Sequence, residues 1–280
     1  MHSGGFSCKQ RHQNTFRFPT DDNMDFLLIC LTALAASGLT LFSGFGLGTL
    51  LMPVFALFFP VEVAVAQTAL VHLANNLFKL GLFGRNASWR MVLLFGGPAF
   101  LASFLGARTL LWLADLAPLA TYTAFGSQFA LHPVKLAVAV LMAGFSILEL
   151  WPAFSRLSID RKYIPAGGLL SGFFGGLSGN QGAFRSAFLI KSGLSKEAFI
   201  GTGVVIAVLV DFSRLTIYSG LLGSPEVRGN LPLILAATLA AFLGAFLGSR
   251  LVRKVTIRAL QVTVAIMLLF IALLLGLGII

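Results

Sequence analysis

The chain has 280 residues, 57% of them apolar and only 11% charged, with a mean hydropathy of +0.91. Soluble domains carry about a quarter charged and under about half apolar residues, so a soluble protein of this composition could not cover its surface, and lipid is the solvent for most of it. The formal net charge of +10 lies mainly in short gaps between apolar runs, where membrane proteins keep cytoplasmic positive charge, and is not clustered on one face as nucleic-acid binding requires.

Residues 1–23 are polar and mixed in charge, without an apolar core that would serve as a signal peptide. They read as a tail, and Met24 is an alternative start opening directly onto DFLLICLTALAASG. Cys8 and Cys30 belong to no C-x-x-C or metal-spaced set. Apolar segments follow at 24–58, 62–84, 90–114 and 133–150. A polar linker at 152–163 is expected on the cytoplasmic side, and the pattern then recurs at 164–190, 197–222, 230–252 and 257–279. Most of these reach the ~20 residues a spanning helix needs.

The chain repeats itself. GLTLFSGFGLG (38–48) and VEVAVAQTALV (61–71) return in order as GLLSGFFGGLSGNQG (168–182) and SKEAFIGTGVV (195–205), with Thr68 falling on Thr202 and Ala64 on Ala198. SFLGAR (103–108) returns as AFLGSR (245–250). Residues 24–151 and 164–280 are therefore expected to be two copies of one transmembrane unit, a common construction in transporters.

As one straight helix, 24–58 would measure about 52 Å at ~1.5 Å per residue, far more than a ~30 Å core. Gly44, Gly46 and Gly48 interrupt it, and glycine weakens a helix interior. The segment is expected to be two helices joined at those glycines, and its counterpart to break at Gly175–Gly182. This hairpin opening gives each half an odd number of passes. It gathers Lys79, Arg85 and Arg90 on one side with the basic residues of 156–162, 191–196 and 250–258. Single passes would divide the charge almost evenly, so the positive-inside bias favours the hairpins. The second half is then inverted and both termini face outward. The expected fold class is all-α, a bundle of two inverted repeats with about 8 spanning helices.

Ionisable groups inside apolar segments are costly and point to function. His72, Asn75, Asn76 and Lys79 stand three and four apart, on one helix face, and Asp211 and Arg214 are three apart in the corresponding segment. Structural alternatives exist for each: an Asp211–Arg214 ion pair joining two helices, Lys79 snorkelling to the interface, and His72 as a packing residue. GLSGNQGAFR (176–185) sets Asn180, Gln181 and Arg185 among glycines. A break there frees backbone amides, and the helix that follows starts with a positive dipole end that binds anions. Arg185, about one turn on, adds a cation. The alternative is a tight-packing glycine motif whose Asn and Gln bond across helices.

Enzyme readings are weak. GLSG (176–179) has the form of a rhomboid-type serine protease motif, yet no histidine follows Ser178 to activate it. There is no phosphate-cradling G-x-x-x-x-G-K-[ST] sequence, and no H-E-x-x-H or clustered His/Cys set. No cofactor and no metal are expected.

These residues resemble the TauE/SafE family of sulfite and organosulfonate exporters, also called TSUP permeases, from about Met24 onward. The likeness rests on the glycine-rich openings (GFGLG at 44–48, GLSGNQG at 176–182), Pro53, the helices AVAQTALV and EAFIGTGVV, and FLGAR and FLGSR closing the third segment of each half. The resemblance implies a secondary transporter of small sulfur-containing or carboxylate anions, with its site between the hairpins at Gly44, Gly46, Gly48, Gly179, Asn180, Gln181 and Gly182. The first opening has Leu47 between glycines and the second has Asn180–Gln181, where the family usually has a triple-glycine run, which leaves the substrate open.

The resulting expectation is a secondary transporter, not an enzyme, working by alternating access in the bacterial plasma membrane. Asn75, Asn76 and Arg185 join the glycine-hairpin residues as anion contacts. Lys79, Asp211 and Arg214 balance charge or couple an ion, Asp211 either by holding Arg214 or by carrying a proton. Its partners are a small anion and the bilayer, with a homodimer as a candidate assembly and no nucleic acid. The runner-up is a non-transporting membrane scaffold or assembly factor.

Overall fold

A computed structural model of the chain describes residues 22–43, 47–124, 126–151, 160–189, 192–251 and 257–280. Gly44, Gly46, the tail up to residue 21 and most of the 152–163 linker lie outside the described residues.

The described chain is mostly helical. The first half runs α1 (Asp22–Ser43), α2 (Leu47–Ala56), α3 (Val61–Phe83) and α4 (Trp89–Asp115), the last containing a π turn at Val92–Gly96. A two-stranded hairpin follows, β1 (Ala120–Ala124) and β2 (Ser127–Leu131), and then α5 (Pro133–Leu150). The second half has α6 (Ile164–Ser178), α7 (Gly182–Leu189), α8 (Lys196–Ile217), the short α9 (Ser219–Leu222) and α10 (Pro225–Gly229), α11 (Leu231–Leu251) and α12 (Ile257–Gly276).

Among the described residues, three helices are long and apolar enough to cross a membrane, over Trp89–Asp115, Lys196–Ile217 and Leu231–Gly248. Their outward stripes are apolar: Leu235, Leu239 and Leu243, one turn apart on α11, are 62%, 66% and 49% exposed. The interior instead holds Gln67, His72, Asn75, Lys79, Asp211 and Arg214, all buried. An oily exterior around a polar seam is the arrangement that lipid as solvent imposes.

Helix packing is reciprocal between the halves. With the short α9 and α10 set aside, the first helix of each half lies along the fourth helix of the other: α1 on α11, and α6 on α4. The third helices, α3 and α8, pack on each other, as do the last, α5 and α12. Small residues permit the closest crossings. A β-carbon at Gly172 on α6 would collide with the Ala99 backbone of α4, and one at Gly244 on α11 with the Leu34 carbonyl of α1. Backbone approach through glycine is how helices gain packing where lipid supplies no hydrophobic drive.

One detail departs from the sequence reading. The fold is not purely α, because ATYTA and SQFAL pair antiparallel from Ala120↔Leu131 to Ala124↔Ser127. Alternating Thr and Tyr residues favour a strand, and Gly126 takes the turn at φ +78°. The hydroxyl of Tyr122 donates to the Leu277 carbonyl at 2.6 Å, tying the hairpin to the end of the chain. The second glycine stretch breaks within Gly175–Gly182, as expected. Gly175 and Gly176 continue α6, and the chain leaves the helix at Gly179.

Candidate functional site

Three structural facts build the site: a helix break in the second half, a glycine of the first half pressed against it, and a charged seam between α3 and α8. Gly179 ends α6 in the left-handed conformation at φ +81°, which glycine adopts without a side-chain penalty. Its amide donates to the Gly175 carbonyl at 3.0 Å. Asn180 and Gln181 form the crossing, and α7 starts at Gly182. The Ser171 hydroxyl (3.0 Å) and the Arg185 amide (3.2 Å) both donate to the Gln181 carbonyl and hold the break in shape.

Gly48 belongs to α2, one residue into the helix that resumes after the first glycine stretch, so it packs from within a helix and does not itself form the break. A β-carbon there would lie 3.2 Å from the Gly179 carbonyl oxygen and 3.8 Å from Thr68 Cγ2. Gly48 thus meets the break of the second half, with Thr68 of α3 beside it. On the other side of the break, a β-carbon at Gly179 would lie 3.0 Å from Arg214 Nη1.

Several buried polar atoms of α3, the break and α7 have no protein partner. They are both amide atoms of Gln67, the Thr68 hydroxyl, Asn180 Oδ1, both amide atoms of Gln181, and Arg185 Nη1. Native proteins pair about 90% or more of such groups, and each one left unpaired costs about 1–3 kcal/mol. Asn180 and Gln181 lie in the helix break itself, and Thr68 lies beside Gly48. Arg185 lies against α8, where a β-carbon at Gly203 would sit 3.4 Å from its Nε.

The seam between α3 and α8 is a closed network. Asp211 Oδ1 accepts from Arg214 Nε at 3.0 Å and from Nη2 at 2.7 Å, and Oδ2 accepts from Asn76 Nδ2 at 3.1 Å. His72 Nδ1 stands 2.6 Å from Oδ2. Arg214 Nη1 donates to the Gly175 carbonyl at 3.4 Å. The Asp211–Arg214 pair is within one helix, so it does not itself join two; His72 and Asn76 carry the bond across to α3. Both Asp211 and Arg214 are fully buried.

Asn75 and Lys79 form a separate cluster facing α1 and α11. The Asn75 amide orientation that satisfies its neighbours has the oxygen accepting from Lys79 Nζ at 3.1 Å and the nitrogen donating to the Ala241 carbonyl at 3.3 Å. Lys79 is 6% exposed, too buried for a snorkelling side chain. Ser178 donates its hydroxyl to the Phe174 carbonyl at 3.1 Å within its own helix.

Of the residues singled out in the sequence, Gly48, Gly179, Asn180 and Gln181 come together, with Gly182 opening the helix behind them and Arg185 one turn along. His72, Asn76, Asp211 and Arg214 form the adjoining network, and Asn75 and Lys79 the third group. Sequence reasoning passed over Gln67 as a site residue and used Thr68 only to align the repeats. The available signal was a pair of polar side chains at the middle of AVAQTALV. Ser37, hydrogen-bonded to Asn75, and Tyr218, whose hydroxyl donates to the Gly176 carbonyl, were also passed over.

Fold and site together define a polytopic helical membrane protein of the permease type, with a polar seam between two halves of like pattern. The profile of the sulfite exporter TauE/SafE family matches residues 29–275, and the chain belongs to that family of membrane transporters. No curated protein and no solved structure matches it.

Proposed function

We propose that the chain is a secondary transporter of a small oxyanion, namely sulfite, an organosulfonate or a related sulfur or carboxylate anion. It works by alternating access between two inverted repeats. The reciprocal packing of α1 with α11 and of α6 with α4 supports the repeat reading, since exchanging the halves exchanges one pair for the other. About 8 spanning passes and a bacterial plasma-membrane setting, with both termini outside, complete the topology.

The observation that carries this reading is the set of unpartnered buried polar atoms of Thr68, Asn180 and Gln181 at the meeting of Gly48 with Gly179, with Arg185 Nη1 unpartnered one turn into α7. Amide nitrogens and a hydroxyl donate to oxyanion oxygens, the α7 start adds its positive dipole end, and Arg185 supplies the cation. A purely structural glycine motif would leave no reason for these atoms to stay unpaired. Arg214 is fully engaged by Asp211 and Gly175, so it shapes the break and does not face the anion as a free charge.

The test is radiolabelled sulfite counterflow in proteoliposomes, comparing the wild type with Arg185→Ala. Saturable wild-type flux that drops at least about tenfold in the variant, the loss of one charge-assisted contact, is the expected outcome. Absence of saturable flux in the wild type for sulfite, sulfonates and small carboxylates alike would sink the reading, and unchanged flux in a folded variant would remove Arg185 from the site.

A further inference from the structure

His72 sits at the seam of α3 and α8 at 3% exposure, with Nδ1 at 2.6 Å from Asp211 Oδ2. Asp211 is the fixed anion of the cluster. A proton on it would remove an accepting oxygen from Arg214 or Asn76 and leave a fully buried guanidinium unbalanced, which is strongly unfavourable. Nδ1 of His72 therefore carries a hydrogen and donates, while Asn76 Nδ2 donates to the same oxygen at 3.1 Å. This leaves the lone pair on Nε2 as the acceptor of a further proton.

The charges that act on His72 are Asp211 and Arg214 from α8 and Arg185 from α7. On its own helix, Lys79 follows two turns later and is bonded to Asn75. Helix α2 has no titratable residue, and α11 has none before Arg250. With Asp211 and Arg214 cancelling, a proton on Nε2 adds one positive charge beside Arg185. That charge is tolerable only when an anion lies at the neighbouring break.

We propose that His72 is the proton-binding residue that couples anion movement to a proton gradient, with Asp211 and Asn76 as the positioning residues that hold its tautomer. One proton from water binds Nε2 together with the anion on one side of the membrane, and the same proton leaves with the anion on the other. The inference rests on the transport reading above and names its coupling ion. It also assigns Asp211 the holding role and not the carrying one.

Two measurements decide it. Proteoliposomes containing a pH-sensitive dye are given methanesulfonate, which does not titrate near neutral pH, so any proton that crosses is carried by the protein. Wild-type methanesulfonate influx is expected to bring a proton with it, and a gradient of one pH unit to raise accumulation about tenfold per coupled proton. His72→Gln is expected to pass the anion down its own gradient with neither effect. Retained proton movement in His72→Gln, or wild-type anion flux without protons, overturns the proposal while leaving the transport reading standing. No saturable flux of methanesulfonate or sulfite overturns both. Should His72→Gln not fold, a His2→Gln/His12→Gln/His132→Gln chain keeps His72 as its one histidine for nitrogen-15 spectroscopy. Added sulfite is expected to protonate Nε2, and a ring that stays neutral with sulfite bound overturns the proposal.

Discussion

Arg185, one turn into α7, and Arg214, reaching from α8, flank the same helix break, yet their surroundings give them opposite roles. Arg214 has its Nε and both terminal nitrogens bonded within the protein, whereas Arg185 Nη1 has no partner. A guanidinium with a free donor can bind a guest; one locked to a carboxylate holds structure. Removing the carboxylate by Asp211→Asn leaves Arg214 buried and unbalanced. A loss of about 3–5 kcal/mol is expected, read as a large drop in the thermal midpoint in detergent whether or not an anion is present. Gln181→Ala has a different signature. Both side-chain amide atoms of Gln181 are unpartnered, so the variant is expected to unfold within about 1 kcal/mol of wild type while losing most of its anion-induced thermal shift. A collapse of the apo protein in Gln181→Ala would mean that the amide is structural.

Among the helices, glycine has two distinct uses. At Gly172 and Gly244 a β-carbon would strike the backbone of the facing helix, so alanine at either position must push two helices apart. Gly172→Ala is expected to destabilise by about 1–3 kcal/mol, the usual penalty for overpacking. At Gly144, exposed inside α5, no atom lies within 4 Å of an added β-carbon. Gly144→Ala is expected to gain about 0.5–1 kcal/mol from helix propensity. Thermal unfolding of the two variants in one detergent checks the contrast, and equal shifts of the same sign would refute it. Ser195 caps the start of α8, its hydroxyl accepting from the Ala198 amide at 3.2 Å and satisfying one of the free amides of the first turn.

For the whole molecule, anion binding and stability are linked. A ligand that binds only the folded state raises stability by about 2.7 kcal/mol at a hundred times its Kd. Sulfite, thiosulfate and sulfonates are therefore expected to raise the thermal midpoint of the wild type in rank order of their transport. A ranking uncorrelated with flux would separate binding from translocation.

Segment ends and the interruption of the fifth segment were readable from the order of residues, because each is a local property. Twenty apolar residues make a span in any surroundings, and glycine weakens whichever helix holds it. Periodicity also grouped His72, Asn76 and Lys79 on one face. It did not divide them, because His72 and Asn76 turn to Asp211 while Lys79 turns to Asn75, and the choice depends on which helix packs on which side. The hairpin at 120–131 escaped the reading because its strands are short and half-polar, and pairing needs both at once.

Composition and spacing by themselves determined that this is a helical protein for which lipid is solvent, with charges set inside apolar runs. Only the tertiary structure decided which charges are balanced and which polar atoms stay unpartnered. The reason is physical: a side chain's worth inside a membrane depends on what lies within about 3 Å of it, and those neighbours come from the other half of the chain.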